Sequence, residues 1–79
     1  MTPEQAFSRV LRRFRAEAEL TQEQLAFESH LDRTYISLLE RGLRQPTLGS
    51  MLLLSAALRV SPSTLMSCVE EVLNETDAD

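Results

Sequence analysis

Residues 21–42, TQEQLAFESHLDRTYISLLERG, constrain the fold more than any other part of the chain, because two helix starts, a corner and a helix stop lie in one short run. Thr21 offers a side-chain oxygen to the free N–H groups of a starting helix, and Gln24 three residues on can reciprocate, the pattern of a capping box. Leu20 and Leu25 flank that cap at the spacing of a hydrophobic staple. Asp32 repeats the device, an acceptor suited to the positive end of a helix, with Leu31 and Ile36 at the staple positions. Two helices therefore begin eleven residues apart, and only Ser29, His30 and Leu31 are left to turn the corner. Leu25, Ala26, Leu31, Ile36 and Leu39 supply the apolar contacts by which the two helices meet. Gly42 closes the second helix, since glycine enters the left-handed conformation past a helix end without steric cost.

The same punctuation organises the flanks. Thr2 and Pro3 open a first helix, with Gln5 at the capping-box spacing and Phe7, Val10, Leu11, Phe14 and Ala18 on one face. Arg9, Arg12 and Arg13 lie off that face. Thr47 caps a fourth helix running to about Arg59, whose expected inward face is Leu48, Met51, Leu52, Ser55 and Leu58. Leu53 falls off it, either a lone exposed leucine or part of a partner surface. Ser61 and Pro62 start a fifth helix, with Val60 and Leu65 as staple. Its stripe of Leu65, Val69 and Val72 is widened on one edge by Met66 and Leu73, enough to cover more than its own core. Residues 74–79 are polar and acidic and are expected to fray. The pattern predicts one all-α domain over residues 1–79, without strands, repeats or a linker.

Seventy-nine residues are close to the size at which a single core is marginal and oligomerisation helps. A lone cysteine, Cys68, excludes an intramolecular disulfide. With an N-terminus lacking both a basic and an apolar leader segment, it reads as a reducing, cytoplasmic setting. No apolar run approaches the eighteen or so residues of a membrane span.

The net charge of -4 argues against a polyanionic partner until it is divided along the chain. Residues 1–69 hold all eight basic residues, every one arginine, against seven acidic ones, a balance of +1. The last ten residues carry Glu70, Glu71, Glu75, Asp77 and Asp79, a balance of -5. The acidity thus sits at one end, where it can be held away from a polyanion. Catalytic equipment is sparse. His30 and Cys68 stand 38 positions apart, with no metal-ligand spacing and no glycine-rich phosphate loop, so no catalytic, metal or cofactor site is expected. His30 reads as a turn residue and Cys68 as a small core residue.

Leu20-Thr21-Gln22, Leu25-Ala26, Ile36-Ser37, Glu40-Arg41-Gly42 and Pro46-Thr47-Leu48 resemble, residue for residue and at the same spacing, the helix-turn-helix regulators of the phage Cro and repressor type, the Xre-like family. Asp32-Arg33-Thr34-Tyr35-Ile36-Ser37 looks particularly like the recognition helix of the restriction-modification controller proteins. The chain departs from the family at Glu19 and His30, where glycine is usual at two helix ends and where non-glycine residues are uncommon. The resemblance implies a five-helix, lambda-repressor-like DNA-binding domain with its helix-turn-helix at 21–42. It also implies a homodimer on double-stranded operator DNA, with no small-molecule effector evident.

Physical chemistry supplies roles for the residues that match. A helix fits the major groove, and the N-terminal residues of the second helix of such a pair face base edges. By the resemblance, Arg33 and Thr34 of the recognition helix, 32–41, occupy the family's base-contacting positions, with Ser37 and Leu38 one turn on. Arginine can donate two hydrogen bonds to guanine O6 and N7, and threonine can bond a base edge or pack its methyl on thymine. A phosphate contact or a solvated charge is the plainer role for Arg33. Tyr35 and Leu38 either pack or touch the DNA backbone. Gln22 matches the family's phosphate-contacting glutamine, helped by free N–H groups at its helix start. Arg41 and Arg44 are phosphate contacts or ordinary surface charges, and the resemblance adds a minor-groove role for Arg44. The Arg9, Arg12 and Arg13 cluster is either a solvated face or a further phosphate contact. By resemblance again, Arg15 pairs with Glu40. Leu53, Met66 and Leu73 are expected at a dimer interface. The competing class is a protein-interaction module, an adaptor or antitoxin-like partner, favoured by the net acidity and by Leu38, Leu43 and Leu53.

Overall fold

The computed structural model describes residues 1–77 and contains five helices: α1 (Pro3–Glu17), α2 (Gln22–Ser29), α3 (Arg33–Glu40), α4 (Leu48–Leu58) and α5 (Pro62–Asp77). Each starts at the side-chain cap read from the sequence. Thr2 and Thr21 form complete capping boxes with Gln5 and Gln24. Asp32 accepts from the Thr34 N–H at 3.3 Å, Thr47 from the Ser50 N–H at 3.0 Å and Ser61 from the Thr64 N–H at 3.1 Å. Each such cap stabilises its helix by about 1 kcal/mol.

The helix ends share one device. Glu19, His30 and Arg59, all at φ 59, and Gly42, at φ 70, take the left-handed conformation past α1, α2, α4 and α3 respectively. In each case the next residue reaches back by a six-to-one hydrogen bond: Leu20 to Arg15 O, Leu31 to Ala26 O, Val60 to Ser55 O and Leu43 to Leu38 O, all at 3.0–3.1 Å. Leu20, Leu31 and Val60 then fold onto the core, the apolar contact that accompanies this motif. Three of the four left-handed positions are thus held by residues with a Cβ, and the packing of the following side chain offsets their strain.

The core is one cluster, led by Phe7, Val10, Leu11, Leu25, Ile36, Leu39, Leu54, Leu58, Leu65 and Val69. It is gathered by α1 lying against both α3 and α5, while α2 lies against α3 and α4. Two details of the sequence reading are corrected. Ala18, expected on the inner face of α1, lies past the helix end and is exposed, while Ala6 and Ser8 are buried. On α4, Leu48 and Leu52 were expected inside and are 70% and 48% exposed, whereas Leu54 is fully buried beside Ser50, Ser55 and Leu58. That helix is apolar nearly all round, so its periodicity does not select a face. Packing selects it instead. The two inward serines are tolerated because Ser55 donates to the Leu52 carbonyl at 2.9 Å and Ser50 accepts from the Thr47 hydroxyl at 2.8 Å. The last helix, α5, runs to Asp77, with Val72 and Leu73 packed against the core. The rest of the expected tail, residues 78 and 79, lies outside the described residues.

Candidate nucleic-acid interface

The α2–α3 pair is held by Leu25, Ala26, Ile36 and Leu39, all buried, with Leu31 half-buried between the helices. Ser29 is buried at the corner and donates to the Ala26 carbonyl at 3.4 Å. His30 takes the left-handed turn there and is exposed, as a turn residue would be. With its axis fixed in this way, α3 points its capped N-terminus outward. Arg33 and Thr34 are exposed and Ser37 half-buried, and with Gln22 they line one shallow depression of about 200 Å³. The four side chains come from two helices and the residues span sixteen positions of sequence, so only the corner brings them together. Leu38 is half-buried outside that depression.

Tyr35 faces differently. Its ring packs against the core and its hydroxyl is enclosed without a hydrogen-bond partner, so any contact with a DNA backbone requires the side chain to turn outward. Arg41 and Arg44 are exposed beyond the far end of α3, and neither they nor Arg33 form an ion pair among the described residues. The loop carrying Arg44 is tied down by Gln45, whose amide donates to Glu4 Oε1 at 2.7 Å.

Behind α3 lies a network that links its last turn to the other two helices. Arg15 holds Glu40 with both arms of its fork, Nε to Oε2 and Nη2 to Oε1, the latter at 2.9 Å. Its third nitrogen donates to the Leu20 carbonyl at 2.9 Å, satisfying the chain where α1 turns into α2. Glu40 is 3% exposed and Arg15 23% exposed. The hydrogen bond to Glu40 holds the Arg15 guanidinium above its ordinary pKa, against the opposing effect of burial. Glu40 Oε1 also accepts from the Gln22 side-chain amide at 3.1 Å. One carboxylate therefore ties together α1, the start of α2 and the end of α3. Sequence reasoning did not find the Gln22–Glu40 or Gln45–Glu4 bonds. Their partners are 18 and 41 residues apart and carry no local pattern.

Among the described residues no group of three His, Cys, Asp or Glu side chains is placed to hold a metal ion, and no single helix is long and apolar enough to cross a membrane. Cys68 is half-buried on α5 and accepts from Arg13 Nη2 at 3.2 Å. Of the side chains expected at a dimer surface, Leu53 and Met66 are exposed, and Leu73 packs partly against the core.

The family profile described as "Helix-turn-helix" matches residues 11–65. Control protein C.BamHI of Bacillus amyloliquefaciens is 43% identical over 61 residues, which cover 76% of this chain and 75% of that protein. The restriction-modification controller protein C.AhdI of Aeromonas hydrophila is 42% identical and superposes with a TM-score of 0.76, covering 78% of this chain and 94% of the other. The controller protein C.Esp1396I, solved as a tetramer in complex with its natural 35 base-pair operator, is 38% identical with a TM-score of 0.82 over 92% of this chain and 97% of the other. The profile match and the likeness to these relatives show that the chain belongs to the Xre-type helix-turn-helix family, alongside the restriction-modification controller proteins.

Proposed function

We propose that the protein is a sequence-specific, double-stranded-DNA-binding transcription regulator that works in the cytoplasm as a homodimer on a palindromic operator, with α3 in the major groove. The observation that carries this reading is the shared depression at the N-terminus of α3, where Arg33, Thr34 and Ser37 stand beside Gln22 and Arg33 forms no ion pair among the described residues. Arg33 donates to guanine O6 and N7, Thr34 and Ser37 meet neighbouring base edges, and Leu38 packs at the groove wall. Gln22, Arg41 and Arg44 hold the phosphates on either side, joined by Tyr35 when its ring turns out. No reaction is assigned to the protein.

Two-fold pairing sets the recognition helices about 34 to 36 Å apart, so the operator is an imperfect palindrome with half-sites one turn apart. Because one relative binds its operator as a tetramer, two such palindromes side by side are the pattern to look for.

Selection of bound fragments from the source genome tests the reading, followed by Arg33→Ala on the recovered duplex. The substitution is expected to cost about 1 to 3 kcal/mol per half-site and to flatten the preference at one guanine-containing base pair. Gln22→Ala weakens all sequences alike. Failure to enrich any palindromic sequence supports the protein-interaction class instead. An Arg33→Ala variant that loses operator and random DNA equally makes Arg33 a backbone contact.

A further inference from the structure

Residues 1–16 carry four arginines, Arg9, Arg12, Arg13 and Arg15, against one acid, Glu4. The fold engages two of the four. Arg15 holds Glu40, and Arg13 turns toward α5, where it donates to Cys68 Sγ at 3.2 Å and lies 5.1 Å from the centre of the Phe14 ring. Glu4 is engaged as well, by the Gln45 amide. Arg9 and Arg12 are exposed and form no ion pair among the described residues. Of these two, Arg12 stands on the flank of α1 that borders the end of α3. Two contacts fix that flank: Arg15 meets Glu40, and Gln5 backs Gly42, whose Cβ position would lie 3.6 Å from the Gln5 Cα. Arg41, between Glu40 and Gly42, therefore lies alongside the stretch of α1 between Gln5 and Arg15. Around the helix Arg12 is about 20° from Gln5 and about 60° from Arg15, whereas Arg9 is about 120° from Arg15 and Arg13 about 160°.

We propose that Arg12 is a further backbone contact of the DNA surface, holding a phosphate beside the one that Arg41 holds, so that α1 grips the duplex together with α2 and α3. The inference rests on the DNA-binding reading above and adds a helix to it. Three observations carry it. The Arg12 Nε donates to the Ser8 carbonyl at 3.3 Å, which directs the stem along α1 and leaves both terminal nitrogens without a partner among the described residues. The planar end of an arginine suits the paired oxygens of a phosphate. Arg12, Arg41 and Arg44 gather at one end of the domain with no carboxylate paired to any of them, since the loop carrying Arg44 is tied to the first turn of α1 and Glu4 is taken up in that tie. Like charges collected without a counter-charge make a site for an anion. Finally, Arg12 stands beside the C-terminal end of α3, about 10 Å along the helix axis from Arg33 at its N-terminus. The end that enters the groove meets bases, and the end that Arg12 flanks meets the groove edge, where the backbone runs.

Fluorescence-anisotropy titrations of the full chain on a random-sequence duplex, repeated across a salt series, test the proposal with Arg12→Gln, Arg12→Lys and Arg13→Gln. The two glutamine variants remove the same charge from neighbouring positions, so an effect of long-range attraction alone appears equally in both. Arg12→Gln should lower the slope of log affinity against log salt by about 0.9 for each protomer bound, and weaken binding about eightfold per protomer near 0.1 M salt. Arg13→Gln should change the slope by less than half as much. Arg12→Lys should keep most of the parental slope, because an ammonium on a phosphate also releases a counterion. A phosphate contact carries no sequence information, so Arg12→Gln should leave the base preference of the genomically selected duplex unchanged. Arg12 is exposed, and its glutamine variant should match the parent in helical circular dichroism. A parental slope in Arg12→Gln, equal losses in Arg12→Gln and Arg13→Gln, or loss of helix in Arg12→Gln overturns the proposal. A parent chain that binds neither the random duplex at low salt nor any genomic fragment refutes the DNA-binding reading itself.

Discussion

Replacing Arg15 by methionine keeps the aliphatic stem and removes every donor that Glu40 receives from α1. The carboxylate, 3% exposed, is left with the Gln22 amide at 3.1 Å, and the Leu20 carbonyl loses its 2.9 Å donor. Breaking one side of a buried pair costs about 3 to 5 kcal/mol, and because the arginine keeps some contact with water the lower end, about 3 kcal/mol, applies. A domain of this length has only about 4 to 12 kcal/mol of stability, so the loss is a large share of the whole. At about 4 to 8 °C per kcal/mol, the thermal midpoint should fall by about 12 to 24 °C. The assay is thermal unfolding followed by circular dichroism at one fixed protein concentration, since dimerisation makes the midpoint concentration-dependent. Arg15→Met/Glu40→Leu, which removes both charges, should recover most of the loss. The pKa of Arg15 is raised by folding, so its contribution is full below the unfolded arginine value and is lost only as pH rises through the still higher folded value. The deficit of Arg15→Met should therefore persist undiminished to mildly alkaline pH. An unchanged midpoint in Arg15→Met would refute the reasoning, as would a double variant no better than the single one.

Gln22→Ala should lower DNA affinity about tenfold per half-site in the parent but far less in the Arg15→Met/Glu40→Leu background, where no carboxylate orients the amide. Equal losses in fluorescence-anisotropy titrations of the two backgrounds would show that Glu40 does not position Gln22. Glu19→Gly and Arg59→Gly should each stabilise the fold by about 0.5 to 1 kcal/mol, the relief of a left-handed residue less the added freedom of the unfolded chain. A lower urea midpoint in either variant contradicts this. Gly42→Ala should destabilise by about 0.5 to 1 kcal/mol by the same two terms reversed, and for backbone reasons alone, since the added Cβ meets Gln5 at an ordinary 3.6 Å. A midpoint equal to the parent's would show that the α3 end tolerates a side chain.

The sequence alone determined the features that depend on a few neighbouring residues. Thr2, Thr21, Asp32, Thr47 and Ser61 announce helix starts because a cap is a contact over two or three positions. Gly42 announces a stop because its φ of 70 is a property of one residue. The placement of Arg33 and Thr34 was legible for the same reason: they follow the Asp32 cap directly, so the cap itself says which end of α3 they occupy. Where the local signal was uniform or absent, tertiary structure decided. Arg59 takes the same left-handed turn as Gly42 with no residue type to mark it, because Val60 packing onto the core stabilises that turn. Along α4 nearly every side chain is apolar, so burial of Leu54 rather than Leu48 or Leu52 had to come from the shapes of α2 and α5. Glu40 shows the same division. Its partner Arg15 was named from family resemblance, but its bond to Gln22 exists only because folding brings the end of α3 beside the start of α2, a proximity that no spacing along the chain encodes.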